Sequence, residues 1–137
     1  MFAQRINAVG TLQWPVNGLA ISTVQSYQVS PTITMDNQGG AYIAWGDSRN
    51  GFSDIYAQHI NSTGSTLWSQ NGLSICSASR DQAYAWIAPD DSGGAIIVWQ
   101  DYRAVSQTDV YAQRVDGNGN TDFVPLELVQ FEAILME

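Results

Sequence analysis

The chain has 137 residues, of which 45% are hydrophobic and 11% aromatic, enough to bury the core of about one domain. Its 13 carboxylates outnumber five basic residues, all arginine, and the formal net charge of −8 argues against a nucleic acid or an anionic lipid surface as partner. No apolar run reaches the roughly 20 residues that cross a bilayer, and MFAQRIN is not a signal peptide. We therefore expect no membrane insertion, and any export signal to lie outside this chain.

The sequence repeats with an offset of 54 residues. Residues 3–49 align with 57–103, and 20 of these 47 pairs are identical. After Arg103 the offset becomes 55, so that SDIYAQHIN returns as TDVYAQRVD. The chain is therefore a tandem repeat. The predicted divisions are repeats over 1–123, comprising a partial unit (1–27), a full unit (28–79) and a partial unit (80–123), and a linker or first strand of a following domain over 124–137.

The full unit contains four predicted β-strands. In chain order, its apolar stretches are residues 30–35, 40–45, 54–60 and 66–75, the last one broken. Turn residues separate them, and no apolar period of 3.6 residues runs for the length of a helix. The sequence therefore predicts an all-β chain.

Turn and proline positions refine this prediction. Asp36 and Gly39 fit a tight hairpin in which the aspartate starts the turn and the glycine takes a positive φ, and Asp90 and Gly93 repeat it. Prolines 31 and 89 lie in the first strand of each unit. Because proline cannot donate to a ladder, we expect that strand to be the edge of its sheet.

A unit of this length with four antiparallel strands and recurrent Trp, Gly and Asp is typical of a β-propeller blade. A β-sandwich or an open β-solenoid is the alternative. The predicted count is nine strands, about two and a quarter blades, whereas closed propellers need about four to eight blades. We therefore expect propeller-like blades in an incomplete ring, and either a fragment of a longer chain or a homo-oligomer.

The motif Trp-x-Asp-x-Arg occurs twice, at 45–49 and 99–103. On a strand its three side chains share one face, so Asp and Arg can pair with Trp flat against the guanidinium or the next blade. Another aspartate opens the following strand. A fold-defining contact is needed in every repeat, whereas a catalytic site is needed once, so the favoured interpretation is a structural lock. The lock residues are Asp47, Arg49, Asp54, Asp101, Arg103 and Asp109.

The alternative interpretation of this motif is a carbohydrate site between blades. Aromatic rings stack on pyranose rings, and Arg with Asp hydrogen-bonds vicinal hydroxyls. Tyr102 and Phe52 are the loop aromatics that would support it. The candidate ligand-binding residues are Trp45, Arg49, Trp99, Arg103 and Tyr102.

A sialidase-like glycoside hydrolase is the least favoured reading. NSTGSTLW at 61–68 loosely matches the Asp-box Ser-x-Asp-x-Gly-x-Thr-Trp, but Ser62 occupies the aspartate position. No unrepeated pair of carboxylates stands out as acid and nucleophile, so we expect no enzyme.

One loop and two single residues give three further predictions. DGNGNTD at 116–122 has oxygen ligands at alternate positions, the spacing that binds Ca²⁺, although a polar hairpin is the favoured reading. Cys76 aligns with Ser22 and is expected to be a small buried side chain. His59 aligns with arginines and is expected to continue a surface hydrogen bond. The candidate metal ligands are Asp116, Asn118, Asn120 and Asp122.

AWGDSRNGFSDIYAQHINSTG and VWQDYRAVSQTDVYAQRVDGNG resemble the tandem repeats of large secreted bacterial surface proteins with a C-terminal type IX secretion sorting domain. The resemblance covers residues 2 to about 120, and the tail VPLELVQFEAILME is similar to the segment that leaves such repeats. It implies export, surface display or release, and roles in adhesion or glycan contact, with no catalytic residues. We therefore expect an extracellular binding or scaffold module whose partner is a polysaccharide or an extracellular protein; a carbohydrate-binding propeller lectin is the alternative.

Overall fold

The computed structural model describes residues 1–121 and 126–127, and all regular secondary structure in them is β-strand. The strands are β1 (Phe2–Ala3), β2 (Leu19–Ala20), β3 (Gln28–Met35), β4 (Ala41–Asn50), β5 (Phe52–Ile60), β6 (Leu73–Cys76), β7 (Gln82–Pro89), β8 (Ala95–Asp101), β9 (Asp109–Val115) and β10 (Leu126–Glu127). The predicted all-β class is confirmed.

These strands form three antiparallel sheets. The first sheet contains β3, β4, β5 and β6 in that order. The second sheet contains the long strands β7, β8 and β9, with the two-residue β10 beside β9. The strands β1 and β2 pair separately. Within the described residues the sheets form no closed ring.

The first three strands of the full unit lie where the sequence predicts them and extend further, but the fourth is much shorter. Most of the predicted stretch 66–75 precedes β6. The reason is a side chain: the carbonyl of the buried Gln58 accepts a hydrogen bond from the backbone N–H of Trp68 (2.9 Å), and its amide donates to the carbonyl of Ser69 (2.9 Å). These backbone groups are satisfied without a ladder.

The predicted edges and hairpins are confirmed. β3 and β7, which contain Pro31 and Pro89, are the edge strands of their sheets. In the turn between β3 and β4, Asp36 accepts from the N–H groups of Gln38 and Gly40 (both 2.7 Å), and Gly39 has φ of 87°. A Cβ at Gly40 would collide with the carbonyl oxygen of Ile60, so close backbone approach requires the second glycine.

The strand β10 falls inside the segment predicted as a linker or as the start of another domain. Its Leu126 lies opposite Ala112 of β9, the register in which Leu73 of β6 lies opposite Ala57 of β5. Residues 126–127 therefore take the fourth place in the second sheet, and the predicted count of nine strands becomes ten. The other residues of 124–137 lie outside the described part of the chain.

Both faces of the central strands of the first sheet, β4 and β5, are buried over most of their length. One face, with Tyr42 and Ala44, packs on the second sheet, where Ile97 and Trp99 lie in the same core cluster. The other face, with Ile43, Trp45, Tyr56 and Ile60, packs on the N-terminal segment through Trp14 and Ile21. This double burial explains why YIAW is apolar at successive positions.

Candidate functional site

Asp47, near the end of β4, organises the first copy of the Trp-x-Asp-x-Arg motif. Its fully buried carboxylate accepts from Trp45 Nε1 (3.0 Å) and Arg49 Nη2 (2.6 Å) on one oxygen, and from Ser26 Oγ (2.8 Å) and the Arg49 N–H (3.0 Å) on the other. The same arginine nitrogen donates to the carbonyl of Asn71 (2.9 Å). The motif is therefore an internal network in which Asp47 accepts four hydrogen bonds, while the buried Nε of Arg49 has no partner among the described residues.

Electrostatics keep this network ionised. Burial by itself would raise the pKa of Asp47, but hydrogen bonds from Arg49, Trp45 and Ser26 outweigh burial and lower the pKa to about 2. The hydrogen bond to Asp47 raises the pKa of Arg49, although desolvation opposes it. The guanidinium lies over the ring of Tyr56, with its carbon 3.9 Å from the ring centroid. Asp47 and Arg49 thus form a charged pair at neutral pH.

The second sheet repeats this arrangement at Asp101. The buried carboxylate accepts from Trp99 Nε1 (3.0 Å) and from Arg103 Nε (2.8 Å), and Arg103 lies over the ring of Tyr111 (4.0 Å). In this copy Arg103 also contacts the Sγ of Cys76 (3.4 Å). The pKa of Asp101 is lowered, because hydrogen bonds from Arg103 and Trp99 outweigh its burial.

Two details of the predicted lock differ from the structure. Asp54 lies opposite Asp47 across the strands, but its carboxylate accepts from Asn50 Nδ2 (3.0 Å) and not from Arg49 in the described contacts. Burial raises the pKa of Asp54. Asp109 likewise contacts Gln107 (3.3 Å). The ring under each guanidinium is a tyrosine and not the motif tryptophan, because the tryptophan turns its N–H toward the aspartate.

Most of the predicted carbohydrate-binding residues are buried in the Trp-Asp-Arg networks. Trp45 and Trp99 lie in the core with essentially no exposed ring surface, so neither offers a face to a sugar. Arg49 and Arg103 each donate through Nη2 to the aspartate of their network. Of the five candidate ligand-binding residues, Tyr102 lines a cleft between the sheets. The buried Trp99 borders a separate, smaller hollow of about 190 Å³.

This cleft lies between the two sheets and has a volume of about 330 Å³. The Ser53 N–H donates to Asp81 Oδ1 (2.9 Å), and the Tyr102 N–H donates to the Asp81 carbonyl (3.0 Å), which fixes the polar end. The Ser53 hydroxyl is buried there without a hydrogen-bond partner among the described residues. The lining residues are Val29, Ser30, Gly46, Ser53, Asp81, Ala83, Tyr84 and Tyr102.

Departures from the repeat create this cleft. Gly46 aligns with Gln100, and a Cβ at Gly46 would come within 2.9 Å of the Ser53 hydroxyl, so the glycine keeps the space open. Tyr84 aligns with Ser30, and both have positive φ at a register shift in the first strand of their sheet. Ser53, Asp81 and Tyr84 were not identified from the sequence. The available signal was Tyr84, a tyrosine that the aligned repeat replaces with Ser30.

A second repeated pair links each turn aspartate to the third strand. His59 Nε2 lies 3.0 Å from Asp36 Oδ2, and Arg114 Nε bonds to Asp90 Oδ2 at the same positions of the second sheet. Burial would raise the pKa of Asp36, but the hydrogen bonds from His59 and the backbone lower it. The expectation of a surface hydrogen bond at His59 is wrong, since the ring is buried beside Tyr42, with ring centroids 4.2 Å apart.

The predicted Ca²⁺ loop uses its carboxylate internally. Asp116 accepts from the N–H groups of Asn118 (2.8 Å) and Asn120 (2.9 Å), and from the Asn120 side chain (2.8 Å). Asn61 makes the same two backbone contacts in the preceding repeat. Both carboxylate oxygens of Asp116 are thus engaged within the hairpin. Asp122 lies outside the described residues.

Cys76 is buried, as expected from its alignment with Ser22. Burial raises the pKa of its thiol, although Arg103 nearby acts in the opposite direction. A thiol with a raised pKa is a poor nucleophile at neutral pH.

Comparison with known protein families, with characterised proteins and with solved structures gives no match. In the described part of the chain no helix is long and apolar enough to span a membrane. The case for a function therefore depends on the geometry above and on the resemblance of the repeat motif.

Proposed function

We propose that this chain is a non-enzymatic binding or scaffold module built of propeller-like blades and displayed or released outside the cell. The observation that carries the proposal is the duplication of one buried network, Trp-Asp-Arg with a tyrosine. In both copies the charged side chains hold strand ends together. This is the role expected of residues that every repeat needs for its fold.

The propeller-like arrangement draws support from the two larger sheets. Each has its long strands in chain order, and they pack face to face through one apolar cluster. Export draws support from the resemblance of the motif to repeats of secreted surface proteins. It is tested by exposing intact cells of the source organism to a protease: loss of the full-length antigen with intact cytosolic markers is expected, and complete protection would contradict export.

A carbohydrate partner is favoured by one specific observation, the inter-sheet cleft. Tyr84 and Tyr102 can present ring faces, while the carboxylate of Asp81 can accept hydrogen bonds from sugar hydroxyls. The carbohydrate proposal therefore involves Tyr84 and Tyr102 and not the buried Trp45 and Trp99.

A glycan array tests the carbohydrate proposal. We expect a restricted set of glycans to bind the wild-type chain, and Tyr84→Ala or Tyr102→Ala to weaken binding at least about tenfold, the loss expected for a central aromatic contact. Gly46→Gln, which installs the residue of the aligned repeat, should block the cleft. Phe52→Ala is the control, because Phe52, predicted as a loop aromatic, is the exposed first residue of β5 and does not line the cleft. Equal binding by all variants would exclude the cleft and leave a scaffold or protein-binding role.

A further inference from the structure

The strands β1 and β2 correspond to the third and fourth strands of a repeat unit. Phe2 and Ala3 align with Tyr56 and Ala57 of β5, and Ala3 lies opposite Leu19 as Ala57 lies opposite Leu73. In both larger sheets the third strand is hydrogen-bonded on two edges. In the described residues β1 pairs with β2 alone, so its other edge is open.

A groove runs along this part of the molecule. Its volume is about 480 Å³, and its lining includes Arg5, Ile6, Trp14, Ile33 and Met35. A smaller hollow of about 170 Å³, which Phe2 and Ala3 help to line, shares Ile33 with it. The open edge is thus flanked by apolar surface, the combination that attracts an added strand.

Apolar side chains beside the open edge of β1 are exposed, although the aligned side chains of the full repeat unit are buried. Phe2 is 62% exposed, whereas the aligned Tyr56 is 7% exposed; Ile6 is 60% exposed, whereas Ile60 is fully buried. Tyr56 and Ile60 lie in β5, whose full length pairs with the second strand of its unit, β4. The missing neighbour of β1 is therefore the second strand of a repeat unit, with the first strand joined to it.

Charge supports the same partner. Arg5 aligns with His59 and Arg114, and each of those side chains bonds to the aspartate in the turn between the first two strands of its sheet. Among the described residues Arg5 forms no ion pair and donates to the carbonyl of Ser62 (3.1 Å). A hairpin docked at β1 would bring an aspartate of this kind to Arg5.

We propose that the open edge of β1 binds a β-hairpin consisting of the first two strands of another repeat unit. The hairpin adds by backbone pairing, places its second strand beside β1, and brings its turn aspartate to Arg5. The register follows from the first sheet, where Trp45 lies opposite Tyr56 and Ala44 opposite Ala57: the partner's tryptophan lies opposite Phe2 and its alanine or valine opposite Ala3. This inference does not depend on carbohydrate binding.

The experiment adds a labelled synthetic peptide of residues 82–103, which contains the β7–β8 hairpin, to the whole chain. Sedimentation first establishes the concentration range in which the peptide is monomeric. We expect saturable binding by fluorescence anisotropy and new hydrogen-exchange protection of the amides of residues 2–6. A peptide with Asp90→Asn, or a chain with Arg5→Gln, should bind roughly tenfold more weakly, and the two changes together should not be additive.

A scrambled peptide and the variant Leu67→Ser, an exposed residue outside the groove, are the controls. Arg5 is itself exposed, and an unchanged melting temperature of Arg5→Gln would show that folding is retained. Binding without protection at residues 2–6, equal binding of the scrambled peptide, or no saturable binding up to about 1 mM peptide would overturn the proposal. Self-association of the chain that protects residues 2–6 and that the peptide competes away would support it and identify a second copy as a source of the hairpin.

Discussion

The first and second sheets are built from aligned sequences but have different surroundings. Tyr42 in β4 is 1% exposed, and the aligned Ile96 in β8 is 43% exposed. The first sheet lies between the N-terminal segment and the second sheet, whereas the described residues cover the second sheet on one face. Equal strand patterns thus give unequal burial, because the neighbouring sheet decides which apolar side chains reach a core.

The two Trp-Asp-Arg networks also differ in their hydrogen-bond partners and in their exposure to solvent. Asp47 accepts from Ser26, and Arg49 donates to the Asn71 carbonyl. Arg103 instead bonds to both oxygens of Asp101 and to the Cys76 sulfur, whereas the buried Nε of Arg49 has no partner among the described residues. The Arg103 side chain is 32% exposed against 16% for Arg49. The first network is therefore more completely desolvated, and breaking it should cost more.

The largest expected effect is that of Asp47→Ala. It leaves the guanidinium of Arg49 partly buried without its counter-charge, and we expect the free energy of unfolding to fall by about 3–5 kcal/mol. Asp101→Ala should cost roughly 1–2 kcal/mol less, since solvent can reach Arg103. Urea denaturation of both variants measures the difference. Equal losses would show that the surroundings of the two networks do not matter.

The next largest loss of stability is expected for Tyr42→Ala, compared with Ile96→Ala at the aligned position. Tyr42 fills the contact between the sheets and its hydroxyl donates to the Gly93 carbonyl (2.9 Å), so its truncation should cost about 3–4 kcal/mol. Ile96 is partly solvated, and its truncation should cost less than about 1 kcal/mol. Thermal melts of the two variants compare the same position in two repeats. A similar loss at Ile96 would indicate that its face is covered in solution.

The smallest expected effect is the acid dependence of stability. The folded-state pKa of Asp47 is about 2, below its ordinary value of 3.8, so its stabilising contribution is present above pH 4 and is lost as pH falls toward 2. The loss should be about 2 kcal/mol. The pKa of Asp54 is raised, so its protonation acts in the opposite direction. Urea midpoints between pH 5 and 2 should fall less steeply for Asp47→Asn than for the wild type; parallel curves would contradict this assignment.

Much of the fold was predictable because it depends on local chemistry. Turn aspartates, turn glycines and edge prolines act on the backbone within a few residues of their own positions. The repeat offset is read directly from the sequence. The fourth strand was not predictable in length, because the side chain of Gln58 captures the backbone near Trp68 from ten residues away. The site was predicted only in part: the Asp–Arg pairing follows from residue spacing, but the tyrosine under each guanidinium comes from the neighbouring strand.

The sequence alone therefore determined an all-β tandem repeat, its hairpins, its edge strands and the pairing of Asp47 with Arg49 and of Asp101 with Arg103, since each rests on spacing along one strand or turn. Tertiary structure alone decided that Trp45 and Trp99 are closed to ligands, that Gly46, Ser53 and Tyr84 meet at a cleft, and that β1 has an open edge. These features depend on which sheet faces which, and packing between distant segments sets that relation.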